Sequence, residues 1–205
     1  MSQLTQSFFQ TILKMEGGYQ NRADDNGNYN TCGKLAGTKY GVSAVALSTW
    51  YGRCVTASEM QALDTQTAFS FYAWYFDLYN LYQIENQDFA QLLMNNTMGS
   101  PVGAAKSEQR ALNRMGFKVA VDGNRGTETI NALNQAFRKN PSGAYNTIRE
   151  EWVNYLKSIN KPQFIDGWLY RMNTFFPVKG VSGQGIDIAL IAVFSFLAYK
   201  IFKAA

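Results

Sequence analysis

The chain has 205 residues, of which 46% are hydrophobic, 15% aromatic and 17% charged, a composition that suits a folded protein and argues against disorder. It contains no histidine, which excludes Ser-His-Asp and Cys-His nucleophile systems and most zinc hydrolases, so acid–base chemistry falls to carboxylates, Lys, Tyr or the two cysteines. The net charge of +4 is unevenly distributed along the chain. Residues 1–95 hold 5 Lys+Arg against 8 Asp+Glu, and residues 96–205 hold 14 against 7, a basic half that favours an anionic polymer or a membrane surface.

Hydrophobic periodicity predicts a mainly α protein. Apolar residues at helical spacing predict an amphipathic helix over residues 4–15, ending at Gly17-Gly18. A long polar loop is expected over residues 20–37. Further helices are predicted over residues 40–51, from a Ser58 cap to about residue 75, and over residues 89–96, 104–115, 127–137 and 144–157. No convincing period-2 strand series is present.

The two ends of the chain give expectations about targeting. The first ten residues lack a basic stretch followed by an apolar one, so no cleaved signal peptide is expected. Residues 186–202 are apolar apart from Asp187, Ser195 and Lys200. A helix of that length reaches about 25 Å, slightly less than a bilayer core of roughly 30 Å, and a buried terminal helix is the other interpretation. Because residues 188–194 leave no polar face, and a Gly-rich hinge precedes them, we predict a membrane anchor that localises the protein to a membrane.

Glu16 is the first candidate for chemistry. It follows the first predicted helix, lies between Met15 and the pair Gly17-Gly18, and precedes Tyr19 by three positions. A carboxyl group in apolar surroundings keeps its proton more easily, as a general acid at neutral pH requires. A solvated Glu near a helix end is the plain alternative.

Asp24 and Asp25 offer a second carboxylate on the polar loop. Glycoside hydrolysis uses such a pair, one carboxyl group as acid and the other to activate water or stabilise positive charge. Turn formation also explains Asp-Asn-Gly. Calcium is not supported, because an EF-hand loop starting at either aspartate would end on Leu35 or Ala36 where it needs Glu. We expect no metal and no cofactor.

Several motifs then occur in order along the chain. They are Glu16-Gly17-Gly18-Tyr19-x-Asn21, Asp25-x-Gly27, Thr38-x-x-Gly41-Val42-Ser43, Ala111-Leu112-Asn113 leading to Asp122-Gly123, and Phe164-x-x-Gly167-Trp168-x-x-Arg171. The set resembles glycoside hydrolase family 108, N-acetylmuramidases found as phage endolysins and secretion-associated lysozymes. It covers about residues 4–175, and its later part is similar to the family's peptidoglycan-binding-type region.

The resemblance implies roles for individual residues. Glu16 would be the general acid, Asp25 would position water or stabilise positive charge, and Thr38 would orient the water. Tyr19, Asn21 and Tyr40 would contact sugar, with core packing the alternative for the tyrosines. Trp168 would be an aromatic anchor and Arg171 a capping or ion-pair residue. A separation of the two carboxylates of about 6.5–9.5 Å would predict inversion, and about 5 Å retention.

The sequence also departs from the family pattern. An insertion over residues 28–37 leaves Thr31 as an alternative to Thr38, which we prefer because it precedes Gly41-Val42-Ser43 directly. The family's Asp-x-Ala-Val-Asn run is Leu93-Met94-Asn95-Asn96-Thr97 here, without the acidic residue. Cys32 and Cys54 can form one disulfide or remain thiols.

The expected organisation is a lysozyme-like two-lobed helical fold plus a C-terminal hydrophobic helix. Residues 1–95 would form a muramidase lobe, 96–179 a peptidoglycan-binding-like lobe, and 180–205 a hinge and membrane helix. The implied activity is hydrolysis of the β-1,4 bond between N-acetylmuramic acid and N-acetylglucosamine, in a phage-derived enzyme of either lysis or entry. The alternative is a non-catalytic cell-wall-binding or membrane-anchored virion protein. Nucleic acid is not expected as a partner, since the basic residues lack a docking motif.

Overall fold

The computed structural model describes residues 3–180, apart from the side chain of Gln163. The predicted membrane helix over residues 186–202 therefore lies outside the described residues. Within residues 3–180, no helix is both long enough and apolar enough to cross a membrane.

The described part of the chain is mainly helical, as predicted. Its helices are α1 (Gln6–Met15), α2 (Ala44–Tyr51), α3 (Ala57–Ala62), α4 (Thr65–Leu78), α5 (Gln87–Gly99), α6 (Pro101–Arg114), α7 (Thr127–Lys139), α8 (Pro141–Ser158) and α9 (Pro162–Phe175). Two short strands, β1 (Thr38–Lys39) and β2 (Val42–Ser43), pair antiparallel. Short 3-10 turns lie at Asn26–Asn28 and Leu81–Gln83.

Helix α1 packs against the core and ends at Glu16. Thr5 caps the helix by accepting a hydrogen bond from the Phe8 N–H, and Phe8 and Ile12 bury the apolar face that the periodicity predicted. The helix ends at Glu16, whose N–H still donates to the Ile12 carbonyl while its own backbone is extended. The chain therefore leaves the helix at the residue that carries the candidate carboxylate.

Two of the predicted helices are wrong in their bounds. The helix predicted over 40–51 begins only at Ala44, because Tyr40 and Gly41 have positive φ angles of 53° and 74° and form the tip of the β1–β2 hairpin. The helix predicted over 58–75 is two helices. Thr56 starts α3, and Asp64 caps α4 by accepting from the Thr67 N–H, so the chain turns between them.

Residues 20–37 form a structured loop. Buried Asn28 organises it, since its amide nitrogen donates to Gln20 Oε1 at 2.9 Å and to the Arg22 carbonyl at 2.8 Å. Cys32 and Cys54 form a disulfide that ties the loop to the segment after α2. Hydrogen bonds from Asn28 therefore fix the start of the loop, and the disulfide fixes its later part.

One continuous hydrophobic core joins the early and late parts of the described chain, from Leu4 and Phe8 in the N-terminal segment to Met172 and Phe176 at the end of α9. This packing brings the end of α1 and the β1–β2 hairpin next to α5, α8 and α9. These elements enclose the cleft described below.

Candidate active site

A cleft of about 320 Å³ opens beside Glu16. Its walls are largely aromatic and come from distant parts of the sequence: Phe71, Tyr72 and Tyr75 on α4, Trp152 and Tyr155 on α8, and Trp168 on α9. Polar groups that line it include Glu16, Ser43, Asn95 and Arg171. A volume in this range with few polar groups is typical of a site for a small ligand or for part of a polymer.

Glu16 is bound by an arginine from the last described helix. Nη1 of Arg171 donates to Oε1 of Glu16 at 2.6 Å, and Nε of Arg171 donates to Oδ1 of Asn95 at 2.8 Å. The Glu16 and Arg171 side chains are 22% and 26% exposed, so the pair is accessible from the cleft yet partly shielded from water. The ion pair expected for Arg171 is present, and its partner is the candidate acid.

The tip of the hairpin closes on Glu16 from another direction. A β-carbon on Gly41 would lie 2.7 Å from Glu16 Cγ and 2.6 Å from the Tyr72 hydroxyl oxygen, so only glycine fits between them. The Tyr72 hydroxyl donates to the Tyr40 carbonyl at 2.8 Å. Burial raises the pKa of Tyr72 well above its usual range, and the Glu16 carboxylate adds to the rise, so the phenol stays a donor.

Asp25 and Thr38 belong to a second polar network. Nε2 of Gln20 donates to Asp25 Oδ2 at 3.3 Å and to Asn28 Oδ1 at 3.0 Å, and the Thr38 hydroxyl donates to the same Asn28 oxygen at 2.7 Å. Asp25 also accepts from the Gly27 N–H at 2.9 Å. The described residues that line the cleft do not include Asp25 or Thr38.

Gly27 nevertheless links Asp25 to the cleft. A β-carbon on Gly27 would lie 3.2 Å from Asp25 Oδ1 and 3.5 Å from Cβ of Ser43, a residue that lines the cleft. Asp25 and Ser43 therefore both border the space beside the Gly27 α-carbon, although Asp25 itself is not among the residues that line the cleft.

The alternatives left open by the sequence occupy different surroundings. Asp24 forms a bidentate ion pair with Arg22, with contacts of 3.0 and 2.7 Å, and the hydrogen bond from Arg22 holds the pKa of Asp24 below its usual range. Thr31 lies beside the disulfide, with its hydroxyl 3.3 Å from Cys54 Sγ. Asp25 and Thr38 are the pair that share one network.

The three residues predicted to contact sugar lie in different surroundings. Tyr19 packs against Gly37, where a β-carbon would stand 2.6 Å from its ring, and its hydroxyl donates to the Ala36 carbonyl at 3.1 Å. Tyr40 is half-buried, with the Lys39 ammonium 5.1 Å from the centre of its ring. Asn21 is exposed.

Sequence reasoning missed part of this site. Asn95, Trp152 and Tyr155 were given no role, and Trp168 was expected only to anchor the fold, although all four line the cleft. The motif that contains Trp168 and Arg171 was a signal for one of these four residues, Trp168, because a motif shared with the catalytic region's family can carry function as well as structure. No motif or local sequence pattern identified Trp152 as a residue of the site.

Two family models match the chain in succession. Residues 9–99 match the model described as Glycosyl hydrolase 108. The chain therefore carries a glycosyl hydrolase family 108 domain over residues 9–99. It is therefore a glycoside hydrolase, as the resemblance implied. Residues 103–173 match a model described as Predicted Peptidoglycan domain, which makes peptidoglycan the substrate class of this family 108 hydrolase.

The fold has a solved counterpart. The chain is similar to the structure of SagA from Brucella abortus, with a TM-score of 0.64 and 23% sequence identity, over 83% of this chain and 92% of that one. This likeness shows that the two share a fold. No curated protein matches this chain. Glu16 lies in the first matched region and Arg171 in the second, so the cleft is built by both.

Proposed function

We propose that the protein is an N-acetylmuramidase that hydrolyses the β-1,4 bond between N-acetylmuramic acid and N-acetylglucosamine in peptidoglycan. The observation that carries this proposal is the position of Glu16, the family-motif carboxylate, on the wall of an aromatic-lined cleft. Glu16 is the general acid in this proposal. No histidine and no metal are needed for its chemistry.

The acid step uses the Glu16 oxygen that Arg171 leaves open. Arg171 donates to Oε1, and within the described residues no side chain donates to Oε2. A proton on Glu16 passes to the glycosidic oxygen as the bond from that oxygen to the anomeric carbon breaks, and positive charge spreads over that carbon and the ring oxygen. Water then adds to the anomeric carbon, and Glu16 regains a proton from solvent.

Asp25 and Thr38 are the proposed groups for the water step. Asp25 borders the same space beside Gly27 as the cleft residue Ser43, and in this proposal it takes the proton of the attacking water or stabilises the positive charge. Thr38 acts through Asn28, which fixes the amide of Gln20 against Asp25. The shared network supports this pairing.

The aromatic walls provide a surface for sugar rings. The C–H faces of pyranose rings are apolar, so rings such as Trp168 and Tyr155 gain contact area by lying against them while polar groups set the orientation. Tyr19, Asn21 and Tyr40 stay proposed sugar contacts outside these walls. Residues 96–179, with 12 Lys+Arg against 6 Asp+Glu, form the proposed wall-binding lobe beside the catalytic lobe of residues 1–95.

We also propose that the enzyme is phage-derived and tethered to a membrane by residues 186–202 while it acts on the bacterial wall. The support is the apolar composition of that segment and the endolysins among the proteins the sequence resembles. A variant lacking residues 181–205 tests the tether in a liposome pelleting assay. The tether predicts that only the full chain pellets, and equal pelleting of both contradicts it.

The chemistry is tested by the ends of the products. Purified peptidoglycan is digested, the products are reduced with borohydride, and the new ends are identified by mass spectrometry. A muramidase produces reduced muramic acid ends, and Glu16→Gln produces none. Reduced glucosamine ends would instead identify a glucosaminidase, and 1,6-anhydro ends a lytic transglycosylase. No new ends from the wild-type chain would favour the non-catalytic wall-binding alternative.

A further inference from the structure

We infer that Arg171 is a positioning residue for the reaction: it fixes the carboxylate of Glu16, and Asn95 fixes Arg171. This inference rests on the proposed role of Glu16 as the acid. It adds that the second matched region completes the catalytic machinery, since Arg171 lies on α9 within residues 103–173.

The contacts join three elements that are far apart in sequence. Glu16 follows α1, Asn95 lies on α5 and Arg171 on α9. The guanidinium uses Nη1 for Glu16 Oε1 at 2.6 Å and Nε for Asn95 Oδ1 at 2.8 Å. Two donors in one rigid plane, bound to partners on different elements, define the direction of the guanidinium and therefore of the bound carboxylate oxygen.

Asn95 is itself held in one orientation. It is 4% exposed, and its amide nitrogen lies 3.2 Å from Asn96 Oδ1 and 3.3 Å from Met172 Sδ. With the nitrogen committed to these acceptors, the oxygen faces Arg171. Asn95 therefore supports Arg171, although residues 93–97 lack the acidic residue of the family motif.

The residues that follow Glu16 in the sequence give its carboxylate little support. Gly17 and Gly18 follow it, and a β-carbon at either would meet nothing within 4 Å. The Gly41 backbone lies close to its Cγ and Cδ atoms, and within the described residues Arg171 is the side chain that donates a hydrogen bond to its carboxylate. Because a misplacement of about 1 Å in an active site can cost about 10²-fold in rate, this restraint has a kinetic consequence.

None of the other ion pairs within residues 3–180 involves a residue that lines the cleft. Arg138 contacts Glu85 at the same distance of 2.6 Å, but the two side chains are 59% and 50% exposed and lie away from the cleft. Exposed ion pairs of that kind contribute little to the stability of the fold. Arg138→Met is therefore a matched control, since it removes a pair of equal length without touching the cleft.

The test compares Arg171→Met, Arg171→Lys, Asn95→Ala and Arg138→Met. For each, kcat and KM are measured from initial rates of reducing-end release on purified peptidoglycan, with folded protein measured by near-UV circular dichroism. We expect Arg171→Met to lower kcat about 10²-fold with KM changed less than about 3-fold, Arg171→Lys to recover part of the loss, and Asn95→Ala to lower kcat about 10-fold. Adding Asn95→Ala to Arg171→Met should cost little more, because both act through one contact.

Two readouts separate positioning from a purely structural role. A loss of folded protein would lower the rates of Arg171→Met and Arg171→Lys in proportion to the unfolded fraction, whereas positioning lowers kcat per folded molecule with little change in KM. Lysine restores a positively charged donor beside Glu16, so partial recovery of kcat in Arg171→Lys, with Arg138→Met at the wild-type rate, identifies positioning.

Each result decides the inference. A folded Arg171→Met with wild-type kcat would overturn it, as would a loss of rate that only follows the loss of folded protein and that lysine does not recover. If Arg171→Met does not fold, wild-type kcat in Asn95→Ala overturns the support role. Failure of the proposed function is distinct: there, Glu16→Gln itself retains activity.

Discussion

Gly41 lies in direct contact with Glu16: a β-carbon on Gly41 would stand 2.7 Å from Glu16 Cγ. The hairpin tip and the proposed acid are therefore one structural unit. The φ angle of Gly41 is +74°, so a side chain there is strained as well as crowded.

Gly41→Ala should displace Glu16 and lower kcat by at least about 10-fold, with a loss of stability of about 1–3 kcal/mol. Gly52→Ala is the matched control, because Gly52 has a similar φ of +65° but open space around it. Urea unfolding and initial rates measure both. Equal kcat losses in the two variants would show that the contact with Glu16 does not matter.

The Cys32–Cys54 disulfide should stabilise the fold and the loop of residues 20–37, which carries Asp25 and leads into Thr38 on β1. For a closed loop of this length, the chain-entropy estimate is about 3 kcal/mol. Unfolding by urea, with and without dithiothreitol, should show a lower midpoint for the reduced protein, and activity should fall on reduction before global unfolding. A reduced protein with an unchanged midpoint would contradict this.

Arg125 and Glu108 form a buried pair whose side chains are 4% and 0% exposed. Arg125 also donates to the Thr97 hydroxyl and the Tyr79 carbonyl, so it joins α6 to α5 and to the end of α4. Arg125→Met should cost about 3–5 kcal/mol, because Glu108 is left buried and unpaired. Adding Glu108→Leu should recover part of that loss; a double variant less stable than the single one would refute the explanation.

Glu59 predicts a pH dependence of stability. Hydrogen bonds from Arg53 and Thr56 lower its pKa from 4.5 to about 2. Since the folded value lies below the ordinary one, the stabilisation is complete above pH 4.5 and is lost as the pH falls through about 2.

The thermal midpoint of Glu59→Gln should therefore lie below that of the wild type at pH 7, and the difference should vanish near pH 2. Asp166→Asn is the control, because Asp166 is exposed on α9. A difference that persists unchanged at pH 2 would show that the Glu59 charge is not the cause.

Local signals predicted much of the fold. Helices α6, α7 and α8 were predicted within three residues of their bounds, because their apolar residues recur at helical spacing. The predicted starts at 104 and 144 are three residues late, since the caps Ser100 and Asn140 and the prolines that follow them begin the helices earlier. The hairpin was missed because each strand has only two residues, too few for a period-2 pattern. The break at Leu63–Asp64 was missed because apolar residues continue on both sides of it.

The site was predicted only in part, for a physical reason. The Glu16 motif is local, so the sequence identifies the acid candidate. Its partner Arg171 lies 155 positions away, and the contact depends on how α9 packs rather than on any spacing. The aromatic walls of the cleft also depend on packing between distant elements. Trp152 lies in an ordinary amphipathic pattern and reaches the cleft because α8 packs beside α5.

The most direct test of the account is the rate of reducing-end release from purified peptidoglycan by Glu16→Gln, with Glu128→Gln, an exposed glutamate on α7, as the control. A general acid contributes about 10²–10⁴-fold, so Glu16→Gln should lose at least about 10²-fold in kcat while it stays folded and still binds the wall polymer. Wild-type turnover by Glu16→Gln would contradict the assignment of the acid, and with it the proposed mechanism.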